Sequence, residues 1–144
     1  MRISARYAIE KTMTRVPDQD RAAVQALLDA LYAARVGGDL ARLTALFAAD
    51  AHFRISGSGD GKPIALAADG AEQIRTWLAV LLKSFSISRY EVLSTVIEGS
   101  RAAVHWRAMI HSRITGIGVA TELMDHLEIR GGNIGVYIEF FVPG

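Results

Sequence analysis

The stretch ALYAARVGGDLARLTALFAADAHFRISG, residues 30–57, decides the fold that this sequence predicts. Its first part ends a helix, because Gly37 and the glycine after it form a typical helix stop. Asp39 is a good N-cap for a second, short helix, which we expect to end near Asp50. The short alternating segment Ala51–Ser56 then indicates a strand. The stretch therefore predicts two helices that lead directly into a sheet.

The chain upstream of this stretch supplies the rest of the first helix. Pro17 suits the first turn of a helix, and the apolar positions that follow have helical spacing. These positions are Val24, Leu27, Leu28, Leu31 and Tyr32. Residues 1–16 are a mixed basic and polar segment, so we expect an N-terminal arm followed by one domain over residues 17–144.

The chain downstream changes from helical to strand periodicity. Residues 57–63 are rich in glycine and predict a loop, and a weak apolar segment follows at 64–68. A third helix is expected over 71–84, with Trp77 on its apolar face. Period-two alternation then predicts strands over 87–97, 101–113, 119–130 and 134–142. Short turns between long strands favour an antiparallel meander, so we predict an α+β fold with three N-terminal helices packed on a strongly bent antiparallel sheet.

Composition excludes several classes of protein. The chain has 144 residues with 16 basic and 15 acidic side chains, a net charge of +1, so bulk charge does not favour nucleic acid or membrane as a partner. Cysteine is absent, which excludes disulfides, zinc–cysteine sites and cysteine nucleophiles. The first residues lack the apolar core of a signal peptide, so we expect a cytoplasmic protein.

Asp125 is the most informative single residue. Its neighbours on the same face of the predicted strand, Leu123, Leu127 and Ile129, are apolar, so the alternation reserves this position for a buried side chain. A buried carboxylate is unfavourable unless it is paired or protonated. Two interpretations stay open: an acid satisfied by neighbouring donors, or a pocket acid/base group that anchors a ligand.

The sequence does not decide which side chains of the last strand lie on the same face of the sheet as Asp125. A four-residue turn at RGGN would place Ile134 opposite Ile129 and therefore on the face of Asp125. A β-bulge would place Tyr137 and Glu139 on that face instead. The pattern alone does not choose between the two registers.

Two segments carry a resemblance to a known superfamily. Residues 30–57 contain a helix, a Gly-Asp-Leu step, a short helix and the pattern Leu-Phe-Ala-x-Asp-Ala before a strand. MDHLEIRGGNIGVYIEFF, residues 124–141, is similar to a hairpin of the form Asp-x-Phe-Arg-Phe-x-x-Gly-Lys-Ile. Both resemble the nuclear-transport-factor-2-like superfamily, which includes ketosteroid isomerases, SnoaL-like polyketide cyclases and limonene epoxide hydrolases. The agreement in order and spacing extends over residues 18–142.

The resemblance implies a conical α+β barrel around one pocket, commonly in a homodimer. Asp125 falls where the isomerases keep the acid that hydrogen-bonds the substrate carbonyl. The position of the isomerase base falls at Ile55, and that of the isomerase tyrosine at Leu31, next to Tyr32. Two of the three isomerase groups are therefore missing, so steroid isomerisation by that mechanism is not predicted.

The epoxide hydrolases use an Asp-Arg-Asp set, and here Trp106 and Ala108 stand where the arginine and one acid are sought. Trp77 and Trp106 are pocket wall by resemblance, although plain core packing is an equal alternative. The candidate pocket residues around Asp125 are Leu31, Tyr32, Phe53, Ile55, Trp77, Trp106, Leu123, Leu127, Tyr137 and Glu139.

These features favour a pocket protein for a small apolar ligand. Acid/base chemistry at Asp125 on an apolar cyclic ketone or lactone would make it an isomerase, cyclase or hydrolase that needs no metal or organic cofactor. A non-catalytic ligand-binding or oligomerisation module is the alternative. A homodimer is expected because one strand face covers no helix, the face of His105, Arg107, Met109 and His111.

Overall fold

The computed structural model describes residues 17–59 and 61–143, and the predicted N-terminal arm lies outside the described residues. Within this part of the chain the helices are α1 (Pro17–Gly37), α2 (Leu40–Ala45) and α3 (Ala71–Ser84). The strands are β1 (Phe47–Gly59), β2 (Lys62–Asp69), β3 (Phe85–Glu98), β4 (Arg101–Ser112), β5 (Gly118–Arg130) and β6 (Asn133–Pro143). None of these helices is long and apolar enough to cross a membrane.

The strands form one sheet in the order β2-β1-β6-β5-β4-β3, on which the helices pack. The predicted α+β fold is confirmed, but the sheet is mixed rather than antiparallel throughout. β1 and β6 run parallel, whereas every other neighbouring pair is antiparallel. The sheet is also not closed, because β2 and β3 form two edges. Short turns indicate only how consecutive strands pair, and β1 and β6 lie far apart in the sequence.

The boundary between α2 and β1 was predicted too late. α2 ends at Ala45 rather than near Asp50, and β1 begins at Phe47. At this point the carbonyl of Leu46 accepts a hydrogen bond from the backbone of Ile134 at 2.8 Å. Phe47 is buried and packs against the rings of Phe53 and Tyr137. Pairing with β6 therefore outweighs the helical pattern of this segment.

Part of the glycine-rich segment 57–63, predicted as a loop, belongs to the sheet instead: residues 57–59 end β1 and residues 62–63 begin β2. β1 extends to Gly59, and β2 begins at Lys62 in register with it. Gly57 is required where it stands, because a Cβ there would lie 2.5 Å from the ring of Phe141 on β6. Gly57 thus makes room for the ring of Phe141 on the neighbouring strand and does not mark a loop.

A β-bulge in β6 decides which residues face Asp125. Ile134 pairs with Ile129, as a simple turn requires, but the register then shifts by one residue. Gly135 is the extra residue, and the shift places Glu139 directly opposite Asp125. Tyr137 lies opposite Leu127 on the same face. Of the two registers that the sequence left open, the bulged one therefore sets the inner face of the sheet.

Candidate functional site

Six side chains from four elements meet in the interior and form what we call the acid cluster. α1 supplies two of them and the sheet supplies the other four. The members are Tyr32, Arg35, Trp106, Asp125, Tyr137 and Glu139. Asp125 and Trp106 are fully buried, and the two tyrosines and Glu139 are at most 3% exposed.

Local structure explains why these residues meet. Tyr32 and Arg35 are three residues apart on α1, so both project from the same side of the helix. Asp125 and Glu139 are direct cross-strand partners, which brings side chains on one face to within contact distance. Trp106 lies on the neighbouring strand β4, whose residue Val104 pairs with Asp125. Helix spacing and sheet register together build the cluster.

Three donor groups surround one oxygen of Asp125, and the third, the Tyr137 hydroxyl, also lies within reach of Glu139. The hydroxyl of Tyr32 donates to Oδ2 at 2.5 Å, and the indole Nε1 of Trp106 donates at 2.8 Å. The hydroxyl of Tyr137 lies 2.9 Å from the same oxygen. The position of this carboxyl group is therefore fixed from three sides.

Glu139 is held by an arginine. Arg35 Nη2 donates to Glu139 Oε1 at 2.8 Å, and Nη1 forms a second, short bond to Oε2. Arg35 Nη1 also donates to the Tyr137 hydroxyl at 2.6 Å, which in turn lies 2.8 Å from Glu139 Oε2. A two-point arginine–carboxylate pair of this kind keeps the carboxylate charged. Glu139 is therefore the ionised acid of the cluster.

The second oxygen of Asp125 is different. Oδ1 is buried and has no hydrogen-bond partner among the described residues. A buried polar atom without a partner is rare and calls for an explanation, such as a ligand or a proton. A proton on Oδ1 would make this atom a donor for which the described residues provide no acceptor.

The two acids of the cluster have opposite pKa shifts. Burial raises the pKa of Asp125 well above its usual range, and the negative charge of Glu139 raises it further. Burial works to raise the pKa of Glu139, but the charge of Arg35 and the hydrogen bonds that Glu139 receives together outweigh it, and the net shift is downward. Divergent values in two adjacent carboxyl groups are typical of an acid and a base with separate roles.

The remaining titratable groups agree with this assignment. Burial, and then the proximity of Asp125, raise the pKa of Tyr32 far above its ordinary value. Burial works to lower the pKa of Arg35, but Glu139, Tyr137 and Asp125 together outweigh it and the net shift is upward. The directions of these pKa shifts favour one cation, one carboxylate and one neutral carboxylic acid in the cluster, an arrangement with no net charge.

An aromatic side chain separates part of the cluster from solvent. The ring of Tyr90, on β3, stacks on Tyr32 with centroids 5.9 Å apart and a 22° angle. It also meets Trp106 edge-on at 5.9 Å. Tyr90 is 38% exposed, whereas Tyr32 and Trp106 behind it are buried.

Most predicted pocket residues lie in this interior. In addition to the cluster members, the buried ones are Leu31, Phe53, Ile55, Leu123 and Leu127. Trp77 is not brought to the cluster: it is 38% exposed on α3, where Ile74 and Leu78 are the buried residues. A ligand contact at any of these positions stays a prediction.

Sequence reasoning missed Arg35 and Tyr90. Arg35 continues the apolar stripe of α1 through Leu28, Leu31 and Tyr32, so its helical spacing was the available signal. A charged residue at a core position is as informative on a helix as Asp125 is on a strand. Tyr90 gave no such signal, because an irregular strand sets its direction.

A surface cleft of about 250 Å³ lies elsewhere in the structure. It runs between α1 and the turns that join β3 to β4 and β5 to β6, with Val24, Leu27 and Ile129 among its lining residues. No member of the acid cluster lines it. Among residues 17–59 and 61–143, no group of three or more histidine, aspartate or glutamate side chains is arranged to hold a metal ion.

The fold and the cluster define a class: an α+β protein whose helices and mixed sheet bury a carboxylic acid pair among aromatic side chains. The family is given by a family model described as a SnoaL-like domain, which matches residues 24–136. The chain belongs to this family, and the predicted resemblance to the nuclear-transport-factor-2-like superfamily is confirmed. Comparison with curated protein sequences finds no match.

Solved structures agree on the fold. A nuclear-transport-factor-2-like protein from Burkholderia xenovorans is 19% identical with a TM-score of 0.69, over 83% of this chain and 89% of that one. A protein with a ketosteroid isomerase-like fold from Catenulispora acidiphila, in complex with trimethylamine, is 22% identical with a TM-score of 0.63, over 78% and 82%. An epoxide hydrolase-like structure from M. tuberculosis is 12% identical with a TM-score of 0.65, over 83% of both chains. At these identities the likeness concerns the fold.

Proposed function

We propose that the protein binds a small apolar cyclic carbonyl compound and polarises its carbonyl group through a neutral Asp125. The observation that carries the proposal is the buried Oδ1 atom, which has no hydrogen-bond partner among the described residues. A protonated carboxyl group at this position would donate to a carbonyl oxygen and stabilise negative charge that develops there. Isomerisation, cyclisation and hydrolysis of such compounds all pass through a polarised carbonyl group.

The other cluster members support this role by fixing the proton. Tyr32 and Trp106 both donate to Oδ2, so this oxygen behaves as the acceptor end of the carboxyl group. The proton is then left to Oδ1, which has no partner among the described residues. Arg35 keeps Glu139 ionised, and the resulting negative charge opposes ionisation of Asp125. The arrangement thus favours a hydrogen-bond donor rather than a second carboxylate.

The test uses 2-cyclohexen-1-one labelled with ¹³C at its carbonyl carbon. Bound to the wild-type protein, the carbonyl signal should move downfield, because a hydrogen bond from an acid withdraws electron density. Asp125→Ala removes the donor and should abolish the shift, and Asp125→Asn, a weaker donor, should reduce it. Exchange of the ring α-hydrogens in D₂O, followed in the same spectra, reports whether polarisation leads to enolisation.

A matched control separates the site from general effects. Glu91 pairs with Arg107 on the exposed side of the sheet, so Glu91→Gln should leave the carbonyl shift unchanged. The same downfield shift in the wild-type protein and in Asp125→Ala would contradict the proposal. No shift at millimolar probe in the wild-type protein would contradict it for this class of ligand.

One observation favours the alternative of a non-catalytic module. Every cluster member except Arg35 is at most 3% exposed, and Arg35 has a side-chain exposure of 13%. A filled interior of this kind suits a protein that acts through its surface. If 2-cyclohexen-1-one does not bind, the non-catalytic module replaces the carbonyl-binding protein as the proposed function.

We also propose a homodimer formed through the outer face of the sheet. Met124 and Phe140 are cross-strand partners on β5 and β6 and are 44% and 46% exposed, and Val142 is 64% exposed. This apolar surface adjoins the β4 residues from which the sequence predicted a dimer. A stable interface buries at least about 1,000 Å² in total. Light scattering should give twice the chain mass at micromolar concentration, and Phe140→Glu should give the single-chain mass; a wild-type mass of one chain at all concentrations would contradict the dimer.

A further inference from the structure

Asp125 is fully buried, so a ligand can reach its carboxyl group only if a covering side chain moves. Among the residues in ring contact with the cluster, Tyr90 is the exposed one, at 38%. Its ring touches Tyr32 and Trp106, and both of these residues donate a hydrogen bond to Asp125. A ring in the position of Tyr90 therefore lies one side chain away from the carboxyl group of Asp125.

The backbone around Tyr90 is irregular on both sides. The register between β3 and β4 shifts between Ser88 and Glu91, and again between Val92 and Ser94. Arg89 has a φ of +50°, a left-handed conformation that is uncommon for a residue with a side chain. β-Bulges redirect side chains and often lie next to active sites. The first shift turns Tyr90 toward the interior, opposite the small residue Ala108.

Tyr90 is also weakly held. β3 is an edge strand, so β4 is its sole neighbour in the sheet. Among the described residues, the Tyr90 hydroxyl makes no hydrogen bond, and the aromatic contacts of its ring are those with Tyr32 and Trp106. A strained edge segment with few fixed partners opens more easily than the core strands.

From these contacts we infer that Tyr90 occupies the ring-binding subsite of the acid cluster and that a flat, uncharged, ring-shaped ligand enters by displacing it. The ligand ring would stack on Tyr32 and meet Trp106 as Tyr90 does. The ligand is uncharged because the walls of the subsite are the buried aromatic rings of Tyr32 and Trp106, against which an unpaired charge would be unfavourable. That the ring carries a carbonyl group rests on the proposed function, whereas the subsite itself does not.

The test measures the fluorescence of Trp106 in a protein from which the other tryptophan, Trp77, has been removed. In a Trp77→Phe background, quenching of Trp106 fluorescence by acrylamide should be weak, because the indole is fully buried. Tyr90→Ala should steepen the quenching at least threefold, whereas Tyr90→Phe, which keeps the ring, should not. Val96→Ala, a change at a 60% exposed residue of the same edge strand, is the matched control and should have no effect.

A fragment of the missing side chain then tests the subsite directly. p-Cresol, which is the tyrosine side chain without its backbone, should restore the protection of Trp106 in Tyr90→Ala and bind this variant at least tenfold more tightly than the parent. If Tyr90→Ala does not fold, Tyr90→Leu takes its place, with intermediate quenching that p-cresol again reverses.

Two results would overturn the subsite. One is equal quenching in the parent and in a folded Tyr90→Ala or Tyr90→Leu variant, and the other is p-cresol binding that does not depend on residue 90. Neither readout involves the proton of Asp125. A failure of the carbonyl experiment together with success here would therefore reject the proposed chemistry and keep the subsite.

Discussion

The outer and inner faces of the sheet each carry one arginine–glutamate ion pair, the first exposed to solvent and the second buried. On the outer face, Arg107 pairs with Glu91, and the two side chains are 60% and 56% exposed. On the inner face, Arg35 from α1 pairs with Glu139, whose side chain is 2% exposed. The same ion-pair chemistry thus occurs once in water and once in the core.

The difference between these pairs lies in what happens when one partner is removed. Water solvates a lone charge on the outer face, so an exposed pair contributes about 0–1 kcal/mol. On the inner face a lone charge stays buried, which is strongly unfavourable. The inner pair therefore controls the charge of its surroundings, including the protonation of Asp125, and the outer pair does not.

Removing the inner cation should have the largest effect. Arg35→Met leaves Glu139 buried without its partner, and we expect a loss of about 3–5 kcal/mol in the free energy of unfolding. Arg107→Met is the matched outer change and should cost less than about 1 kcal/mol. Urea unfolding at pH 7 measures both. Equal losses in the two variants would show that the faces do not differ as described.

Asp125→Asn should change how stability depends on pH. Because burial and Glu139 raise the folded-state pKa of Asp125 above the unfolded value of about 3.9, the wild-type protein loses stability as pH rises above about 4 and until the folded pKa is reached. The asparagine variant lacks this loss, so its advantage should grow by about 1.4 kcal/mol per pH unit in that window. Glu139, with its lowered pKa, has the opposite sign and stabilises the fold above its unfolded value.

The measurement for this variant is unfolding by urea at a series of pH values from 3 to 8. At pH 3 the two proteins should have similar stability, because Asp125 is then protonated in both the folded and the unfolded state. A variant that is less stable than the wild-type protein, with a gap that widens as pH rises, would indicate an ionised aspartate.

Tyr32→Phe should have the smallest effect of the inner-face changes. It removes the 2.5 Å hydrogen bond to Asp125 and leaves the ring in its stack with Tyr90. We expect a loss of about 1–2 kcal/mol in the free energy of unfolding, since Oδ2 keeps the Trp106 indole as a donor and the Tyr137 hydroxyl stays within reach. Tyr90→Phe, whose hydroxyl has no role in the cluster, is the control and should be nearly neutral by thermal unfolding. A loss above that of Arg35→Met would contradict this order.

The sequence predicted which β5 residues lie on the inner face of the sheet better than it predicted the contacts between inner-face side chains. Period-two alternation identified Asp125 as a buried acid, because one charge among apolar neighbours is visible in a single strand. The pairing of Asp125 with Glu139 depends on the bulge at Gly135, which the alternation allowed but did not require. The arginine that ionises Glu139 comes from a helix about a hundred residues away, and no local pattern links the two.

Tertiary contacts also explain where the predicted elements were wrong. Phe47 and the residues after it join β1 because β6 pairs with them, although their apolar spacing is helical. The parallel pairing of β1 with β6 is a long-range contact that no local pattern indicates. The extension of β1 and β2 into the glycine-rich segment depends on close packing, in which Gly57 makes room for the ring of Phe141. The helix stop at Gly37, the cap at Asp39 and the limits of α3 are local and were predicted correctly.

The protonation of Asp125 is the central claim, and a titration of its carboxyl carbon by ¹³C NMR tests it most directly. The signal is assigned by its loss in Asp125→Asn. We predict that the Asp125 carboxyl group stays protonated at pH values at which an aspartate in an unfolded chain, with a pKa of about 3.9, has already ionised. Titration at or below that value would mean a paired, charged aspartate and would contradict the account.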